Sequence, residues 1–311
     1  MKLMYNGVDI YNDVSVNYCV HEMFAEKQAD SLVIRFNDTK GVWSKWNPAA
    51  GDTIRFTEGA SDTGDMFIHS MTPENGLFTI RALSMPLSGT TKRSKSWDGV
   101  RFLQLGNEIA KNHGLEFQNF GCADQVYPYM RQGKSKVDKE TDFAFFSRLC
   151  MLEGCAMLIY DGKLIAYNEQ YIEQQTPAGT LDVDINGVFH YKDNRSKSYG
   201  SCEVSSGIYS GKFNAPGAIS TTVFRPDKTI PVTSNAEAAR FAKGLLRNAN
   251  KYGHTGWFSK TMLPGYAAAS LLRLKTTKAS AWDGTVFVYK VRHDFVGNKS
   301  TLYFRHLLEG Y

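Results

Sequence analysis

The chain has 311 residues, enough to bury a sizeable core and to divide into two to four domains. Its 36 basic and 31 acidic residues leave a net charge of +5, which is too mild an excess to indicate nucleic-acid binding by itself. We find no secretory signal at the N-terminus and no run near the ~18 apolar residues of a membrane span, so we expect folding in a reducing bacterial cytoplasm and no direct membrane insertion.

The five cysteines are scattered and odd in number, which is not the pattern of a disulfide framework or of a CxxC metal knuckle. Cys150 lies on a predicted helix face and Cys155 opens a predicted strand. We therefore interpret both as small core residues.

Residues 1 to about 88 are predicted to form short strands separated by turns. The strand-like runs are Leu3–Ile10, Ser31–Phe36, Gly51–Phe56, Asp65–His69 and Leu77–Ala82. Short strands at this spacing indicate a small barrel or sandwich.

The pattern changes after Thr90. The basic stretch 91–95 is typical of a surface connection, and Ser96–Asp98 is predicted to start a helix that carries Phe102, Leu105 and Ile109 on one face. A strand-poor linker around Pro128 follows.

The segment Lys139–Asn168 is the most informative in the chain. It predicts an amphipathic helix, capped by Thr141 or Asp142 and ended by Gly154. The apolar stripe of this helix consists of Phe143, Phe146, Leu149 and Cys150. A β-hairpin is then predicted, with strands Cys155–Tyr160 and Lys163–Tyr167 around the turn Asp161–Gly162.

Strands return from about residue 173. The candidates are Leu181–Tyr191, Ser201–Tyr209, Ile219–Phe224, Ala268–Leu274, Thr285–Asp294 and Lys299–Leu307. Between them, Ser234 and Glu237 form a capping box before a helix that Gly253 ends. The shared face of that helix consists of Ala238, Phe241, Ala242, Leu245, Leu246 and Ala249.

One loop matches part of a calcium-binding pattern. Asp182, Asp184, Asn186 and Gly187 occupy the spacing of an EF-hand loop, with Asp193 at the twelfth position. The two flanking helices are missing and the last ligand is Asp rather than Glu. This favours a β-turn with solvated acids over a metal site, and weak metal binding at Asp182–Asp193 stays open.

Other catalytic patterns are lacking. There is no Walker loop, no G-x-S-x-G elbow and no HExxH, and adjacent His293 and Asp294 point to opposite faces of a strand, where His293 is expected to be half-buried. A glycosidase pair of carboxylates stays open, because such pairs need not be neighbours in sequence. Glu140 and Asp142 are explained by the dipole of the helix that they start.

Basic clusters could face a nucleic acid, but they lack interleaved aromatic residues. These clusters are Lys92, Arg93 and Lys95, and then Lys134 and Lys136. We predict no specific nucleic-acid binding, no enzyme activity, and no catalytic, cofactor-binding or metal-binding residues.

Taken in order over nearly the whole chain, these segments resemble the baseplate hub proteins of contractile tails. That family includes the late control protein D group and the hub portion of type VI secretion spike proteins. The resemblance rests most on Glu140, Asp142, Phe145, Arg148 and Leu149, followed by the Gly154 hairpin. Supporting segments are Asn6–Ile10, Ala29–Leu32, Gly51–Asp52, Ser94–Trp97, His113–Leu115, Ser234–Ala238, Asp283–Gly284 and Val291–His293.

The resemblance implies an α+β, β-rich fold of three domains. Two tube-like β-barrel domains would span residues 1–88 and 173–311, and a small α/β domain of helix, helix and hairpin would span 89–172. A helical insertion is expected around 234–262.

The resemblance also implies a structural role in a phage tail, a tailocin or another contractile injection system. Three copies would form a pseudo-sixfold ring around the channel, adapting the hexameric tail tube, or its initiator, to a trimeric central spike. Other baseplate proteins and the tape measure protein are further expected partners. Two alternatives stay open: a tail-associated cell-wall hydrolase, and a carbohydrate-binding adhesin that uses Trp43, Trp46 or Trp257.

Overall fold

The structure is a computed structural model that describes residues 1–133, 137–183, 188–218, 220–227, 229–276 and 280–311. Within these residues the fold is α+β and rich in strands. The α-helices are α1 (Val42–Trp46), α2 (Phe102–Asn112), α3 (Asp142–Leu152), α4 (Glu169–Glu173) and α5 (Asn235–Asn250). Short 3-10 turns are present at Leu87–Thr90, Arg195–Lys197 and Ser280–Trp282.

The strands fall into an N-terminal, a middle and a C-terminal group. The first group is β1 (Lys2–Tyr5), β2 (Val8–Asp9), β3 (Ser15–Phe24), β4 (Ser31–Asn37), β5 (Thr53–Glu58), β6 (Ser61–Asp62), β7 (Met66–Glu74) and β8 (Leu77–Leu83). The middle group is β9 (Lys92–Arg93), β10 (Lys95–Arg101), β11 (Glu116–Phe120), β12 (Val126–Gln132), β13 (Glu140–Thr141), β14 (Cys155–Tyr160) and β15 (Lys163–Asn168). The third group is β16 (Thr180–Asp182), β17 (Val188–Asp193), β18 (Ser201–Ser206), β19 (Tyr209–Asn214), β20 (Val223–Phe224), β21 (His254–Thr261), β22 (Ser270–Lys275), β23 (Gly284–Asp294) and β24 (Lys299–His306).

One sheet of 14 strands joins the first and last groups. Its order is β17-β21-β24-β23-β3-β4-β8-β7-β5-β1-β2, with β22 beside β23, β16 beside β22 and β6 beside β5. Among the described residues this path has two ends, at β17 and at β2, so strand pairing closes neither half into a barrel. One edge of β3 pairs with β4 and its other edge pairs with β23 of the C-terminal group. Because both edges of β3 are taken, no strand at the other end of the N-terminal group pairs with it to close that group.

The middle group surrounds a core that reaches beyond residues 89–172. The parallel pair β11·β15 and the hairpin β14·β15 form a three-stranded sheet. Helices α2 and α3 pack in this core through Phe102 and Phe146, whose ring centroids are 5.3 Å apart. Phe241 of α5 and Cys202 of β18 belong to the same core. Helix α5 therefore packs on the middle strands as well as on the strands that flank it in sequence. The three strand groups, each with the helices between its strands, are called the N-terminal, middle and C-terminal units below.

The prediction for Lys139–Asn168 is confirmed. Thr141 is the N-cap of α3 and accepts a hydrogen bond from the Ala144 N–H at 3.2 Å, and Gly154 has the left-handed φ of 69° that ends a helix. The predicted stripe is buried, but Phe145 is buried too, so α3 is enclosed on more than one face. The hairpin forms around Asp161–Gly162, and β23 and β24 also lie where they were predicted.

The helix predicted from Ser96 is wrong by one to two turns. Residues Lys95–Arg101 form β10, which pairs with β12, and α2 begins at Phe102. Trp97 anchors the strand because its ring stacks on Phe145 at 5.3 Å. The same pairing makes the region around Pro128 a strand rather than a linker, and Lys92–Arg93 pair with Glu140–Thr141 as β9 and β13 rather than forming a plain surface connection.

Two strand predictions between residues 181 and 209 need correction. The run Ser201–Tyr209 is a hairpin, because Gly207 turns the chain with a φ of 60° and β19 returns along β18. The run Leu181–Tyr191 contributes β16 and β17 to different partners.

Two later predictions are also shortened by the structure. The run Ile219–Phe224 is a strand only at Val223–Phe224, and its first residue lies outside the described residues. Helix α5 ends at Asn250, slightly before the predicted stop at Gly253, and within the region 234–262 it is followed by β21 (His254–Thr261), a strand between β17 and β24 that was not predicted.

Candidate functional site

The described residues contain no constellation that stands out as an active site, and the strongest site-like feature is the junction between the units. Strand β23 pairs with β24 along one edge. On its other edge it pairs first with β22 and then, from Lys290 to Asp294, with β3. The change of partner falls at Tyr289, a bulge in the β23·β24 register whose carbonyl accepts the Ala25 N–H at 2.9 Å. This bulge allows one strand to join two β-units.

Two histidines lie directly opposite each other in this seam. His21 of β3 and His293 of β23 are register partners, and each is 1% exposed. Burial, with the neighbouring His293, lowers the pKa of His21 to about 3 against a smaller opposing effect of Asp62. Burial also lowers the pKa of His293, so both rings are neutral at pH 7. The sequence prediction of a half-buried His293 thus underestimates its burial. The ring is enclosed, and its Nδ1 lies 2.8 Å from the Ser300 hydroxyl.

The seam borders a cavity of about 330 Å³ that residues from all three units line. Asp30 lies on its wall, where burial raises the pKa of the carboxyl group to about 7 even though its Oδ1 accepts the Phe24 N–H at 2.8 Å. Burial thus favours the uncharged forms of His21, His293 and Asp30, whereas Asp62 on the same cavity wall is kept ionised, against the effect of burial, by its hydrogen bond to Arg55.

A buried ionic network ties the units together next to the seam. Glu169 and Glu173 come from α4, Arg247 from α5, Lys251 from the residue after α5, and Arg305 from β24. Each of these side chains is at most 4% exposed. Arg247 Nε lies 3.0 Å from Glu169 and its Nη2 lies 2.6 Å from Glu173, which also accepts from Arg305 Nη1 at 2.6 Å.

Lys251 extends the network into the N-terminal unit. Its Nζ lies 2.9 Å from Glu169 Oε1 and 2.6 Å from Glu26 Oε2, and the Tyr252 hydroxyl donates to the other Glu26 oxygen at 2.6 Å. Burial alone raises the pKa of Glu169, but the charges of Lys251, Arg305 and Arg247 outweigh it and hold the pKa at about 2. Three acids thus face three cations, which is the condition under which buried charges are tolerated.

A second hydrogen-bonded chain lies in the middle unit. The hydroxyl of Ser88, an exposed residue, lies 2.8 Å from His113 Nδ1, and His113 Nε2 lies 3.0 Å from Asp142, whose other oxygen accepts from the Gln132 amide at 2.8 Å. The order of the groups is that of a hydrolase triad. The Gly89 N–H after the serine is bonded to the Pro86 carbonyl at 2.9 Å, so the usual oxyanion donor is occupied. We assign these hydrogen bonds a structural role: they join the 3-10 turn at Leu87–Thr90 to α2 and α3.

The other residues that sequence analysis considered are separated by the fold. Trp43 is 1% exposed in the N-terminal core, which removes it as a sugar platform, while Trp46 and Trp257 are partly exposed. Asp193 pairs with Arg195, and Asp184, Asn186 and Gly187 lie outside the described residues. The same holds for Lys134 and Lys136.

Several general properties follow from the part of the chain that the structure describes. All five cysteines are buried thiols. No group of three or more His, Cys, Asp or Glu side chains there is arranged to hold a metal ion. No described helix combines the length and apolarity needed to cross a bilayer.

Sequence reasoning missed the ionic network, because its members lie far apart in the chain. Glu169 and Arg247 are 78 positions apart, and Lys251 and Glu26 are 225 apart. The only local signal is the pair Arg247 and Lys251 at the end of a helix, where cations favour the dipole and would be expected on the surface.

Comparison with known proteins identifies the fold. No protein-family model matches the chain, and no curated protein matches it in sequence. The 43 kDa tail protein of prophage MuSo2 from Shewanella oneidensis superposes with a TM-score of 0.76 at 10% identity, over 98% of this chain and 97% of that one. A tail protein from Neisseria meningitidis gives 0.75 at 10% identity, over 98% and 95%.

A component of the type VI secretion system of Escherichia coli gives a TM-score of 0.63 at 12% identity, over all of this chain and 78% of the other. That protein is described as similar to two tail proteins of bacteriophage T4. At these identities the likeness establishes the fold. The chain therefore has the fold shared by phage tail proteins and this type VI secretion component.

Proposed function

We propose that the protein is a structural subunit of a tail baseplate: a hub protein that trimerises around the channel. The ring would adapt the hexameric tail tube, or a tube-initiator protein, to a trimeric central spike. The observation that carries this proposal is the β3·β23 seam, because it places two β-units side by side in one continuous sheet within a single chain. Three copies of such a chain supply six β-units, which matches a sixfold partner on one side and a threefold partner on the other.

The proposed organisation keeps the three units named from the sequence. Residues 1–88 and 173–311 would contribute the tube-like units, residues 89–172 the outer α/β unit, and the region around 234–262 the insertion. Within the described residues β17 and β2 are the two ends of the main path of the sheet, and the short strands β16 and β6 end its side branches. If the β17 end of one copy meets the β1–β2 end of the next, the sheet continues around the ring and no long edge is left open.

The partners that we propose are those that the family resemblance implies. They are two further copies of the chain, the spike below, the tube or its initiator above, neighbouring baseplate proteins and the tape measure protein. The protein would act as a component of a virion or tail-like particle, made in the bacterial cytoplasm. The buried, paired charges of the junction suit a static, load-transmitting role rather than catalysis.

The test is the mass in solution. Light scattering across a concentration series, with negative-stain images of the main peak, should show a species of about three times 34.9 kDa with a ring outline. Where the chain alone stays monomeric, the same measurement is made with its spike protein co-expressed. A complex with one or two copies per spike trimer would contradict the proposal.

A matched pair of variants tests the sheet ends. Val188 on β17 is 64% exposed, and Val296 in the β23–β24 turn is 52% exposed. A lysine on an edge strand blocks strand pairing, whereas one in a turn does not. Val188→Lys should therefore lower the trimer fraction, and Val296→Lys should leave it unchanged. Equal trimer fractions in both variants would remove β17 from the interface.

A further inference from the structure

The three-stranded sheet of the middle unit has an open edge at β14. Its order is β11-β15-β14, so β14 has β15 on one side and no neighbouring strand on the other among the described residues. An open edge presents a row of unpaired N–H and C=O groups, which proteins generally pair or cover. What covers β14 is therefore a question that the structure raises.

The hairpin geometry identifies the unpaired groups. Asp161 and Gly162 both have positive φ, 46° and 71°, so the hairpin closes with a two-residue turn and Tyr160 and Lys163 form its first hydrogen-bonded pair. Hydrogen-bonded and non-hydrogen-bonded pairs then alternate. The N–H and C=O of Ile159 and Met157 consequently point away from β15, and no hydrogen bond within the described residues reaches them.

Met157 and Ile159 line a groove of about 840 Å³. One wall is α3, through Ala144 and Met151, and the other is formed by Phe24 and Leu83 of the N-terminal unit. Met157 and Ile159, backbone included, are only 8% and 4% exposed, so this edge is recessed rather than displayed on the surface. Backbone groups in an apolar recess gain more from a hydrogen-bonding partner than groups in open water.

The most accessible charges at the mouth of the groove are positive. Lys27 is 51% exposed on one rim and Arg148 is 42% exposed on the other. The acids nearby are more enclosed: Glu26 is 10% exposed, Glu140 21% and Glu22 25%. Glu140 accepts two hydrogen bonds from Arg148, at 3.2 Å from Nε and 2.9 Å from Nη2, so Lys27 contributes more unpaired positive charge than Arg148. Glu26 is also held by Lys251 at 2.6 Å, so it neutralises Lys27 only in part. An occupant with acidic side chains at its ends complements this rim.

We propose that β14 accepts an extended segment of a partner protein as a fourth strand. The segment would pair its backbone with Met157 and Ile159, place alternate apolar side chains in the groove, and carry Asp or Glu near Lys27 and Arg148. The six residues of β14 correspond to about 20 Å of strand, so a segment of about six or seven residues fills the edge. This site is separate from β17 and from β1–β2, the strands assigned to the ring contacts. Its test therefore does not depend on whether the protein forms a trimer.

The experiment is a selection of displayed random heptapeptides on the purified full chain. The selected peptides should alternate apolar and polar residues and should carry acidic ends. Hydrogen exchange of the complex should show new protection at the Met157 and Ile159 amides. A copy of the same peptide, N-methylated at alternate residues so that it cannot donate toward β14, should bind at least about tenfold more weakly.

Matched variants locate the site. Ala144 and Ala236 are both exposed helix residues, on α3 and α5 respectively, and only Ala144 borders the groove. Ala144→Trp should weaken peptide binding at least about tenfold, and Ala236→Trp should not change it. Lys27→Glu should weaken binding of acidic peptides more than Lys40→Glu, whose residue is also exposed but lies away from the rim.

Either of two results would overturn the proposal. One is that no selected peptide distinguishes Ala144→Trp from Ala236→Trp. The other is that the two amides become protected at high protein concentration without any peptide, because the occupant would then be a second copy of this chain.

Discussion

His21 and His293 face each other across the strand pair that joins the two β-units, and both rings are shut off from water. A cross-strand pair of this kind brings two ionisable side chains within about 5 Å. Two positive charges at that separation in a buried site would be strongly unfavourable, so the seam depends on both rings staying neutral.

The first prediction is that acid destabilises the protein through His21. Its pKa of about 3 in the fold lies below the unfolded value of 6.5, so the unfolded chain binds more protons between these pH values and stability falls as the pH drops. From pH 7.5 to pH 5 the titration of His21 should lower the free energy of unfolding by about 2 kcal/mol.

Urea unfolding at pH 7.5 and at pH 5 measures this change in the free energy of unfolding. His21→Gln should lose about 2 kcal/mol less than the wild type over this interval. His190→Gln, at an exposed histidine, should behave as the wild type does. A wild type and a His21→Gln variant with equal losses would show that His21 does not set the pH response.

The second prediction concerns Asp30 and has the opposite sign. Its pKa is raised from 3.8 to about 7, so the folded state binds the proton more tightly and stability is lost as the pH rises through this window. An asparagine side chain at this position would keep an acceptor for the Phe24 N–H without a charge. Between pH 5 and pH 8 the free energy of unfolding of the wild type should therefore fall by about 2 to 3 kcal/mol more than that of Asp30→Asn.

The same unfolding series at pH 5 and pH 8 checks it, with Asp98→Asn at an exposed site as the control. A stability difference between Asp30→Asn and the wild type that does not change with pH would mean that Asp30 is ionised in the folded state throughout.

The third prediction tests the ionic network. Arg247→Met should cost about 3–5 kcal/mol, because Glu169 and Glu173 would stay buried with one cation fewer. Arg195→Met removes a surface pair with Asp193 and should cost less than about 1 kcal/mol.

A double variant separates charge from packing. Adding Glu173→Gln to Arg247→Met should recover part of the loss, since it restores the balance between acids and cations. If the double variant is less stable by the full sum of the two single losses, the pair is not coupled and the network is a set of independent contacts.

Local signals account for the parts of the fold that the sequence predicted well. The helix α3 and the hairpin after it are specified by the Thr141 cap, the Gly154 stop and the Asp161–Gly162 turn, all within one short segment. Strand β10 was missed because Trp97 is held by Phe145, which lies 48 positions later, and by pairing with Met130. No residue near Ser96 in the sequence indicates a strand, so the helix start signal there was the only local evidence.

The junction could not be predicted for the same reason. A buried arginine such as Arg305 looks like a surface residue in sequence, because charged side chains are seldom buried unless paired. Its partner Glu173 lies 132 positions earlier in the chain, and only the tertiary fold brings the two side chains together at 2.6 Å. The pairing of β3 with β23 could not be predicted either, because its register partners His21 and His293 lie 272 positions apart in the chain.

The last prediction concerns the crossing of α3 and α5. Gly244 lies in the interior of α5, where alanine would ordinarily stabilise a helix by about 1 kcal/mol. A Cβ at this position would lie 2.3 Å from the Leu152 carbonyl oxygen and 2.8 Å from the Gly154 nitrogen, both of which are backbone atoms at the end of α3. The helices would have to move apart, so Gly244→Ala should destabilise the protein by about 1–3 kcal/mol despite the helix propensity. Thermal unfolding measures it, with Lys243→Ala on the same helix as the control. A higher melting temperature for Gly244→Ala would show that the two helices approach less closely than the structure indicates.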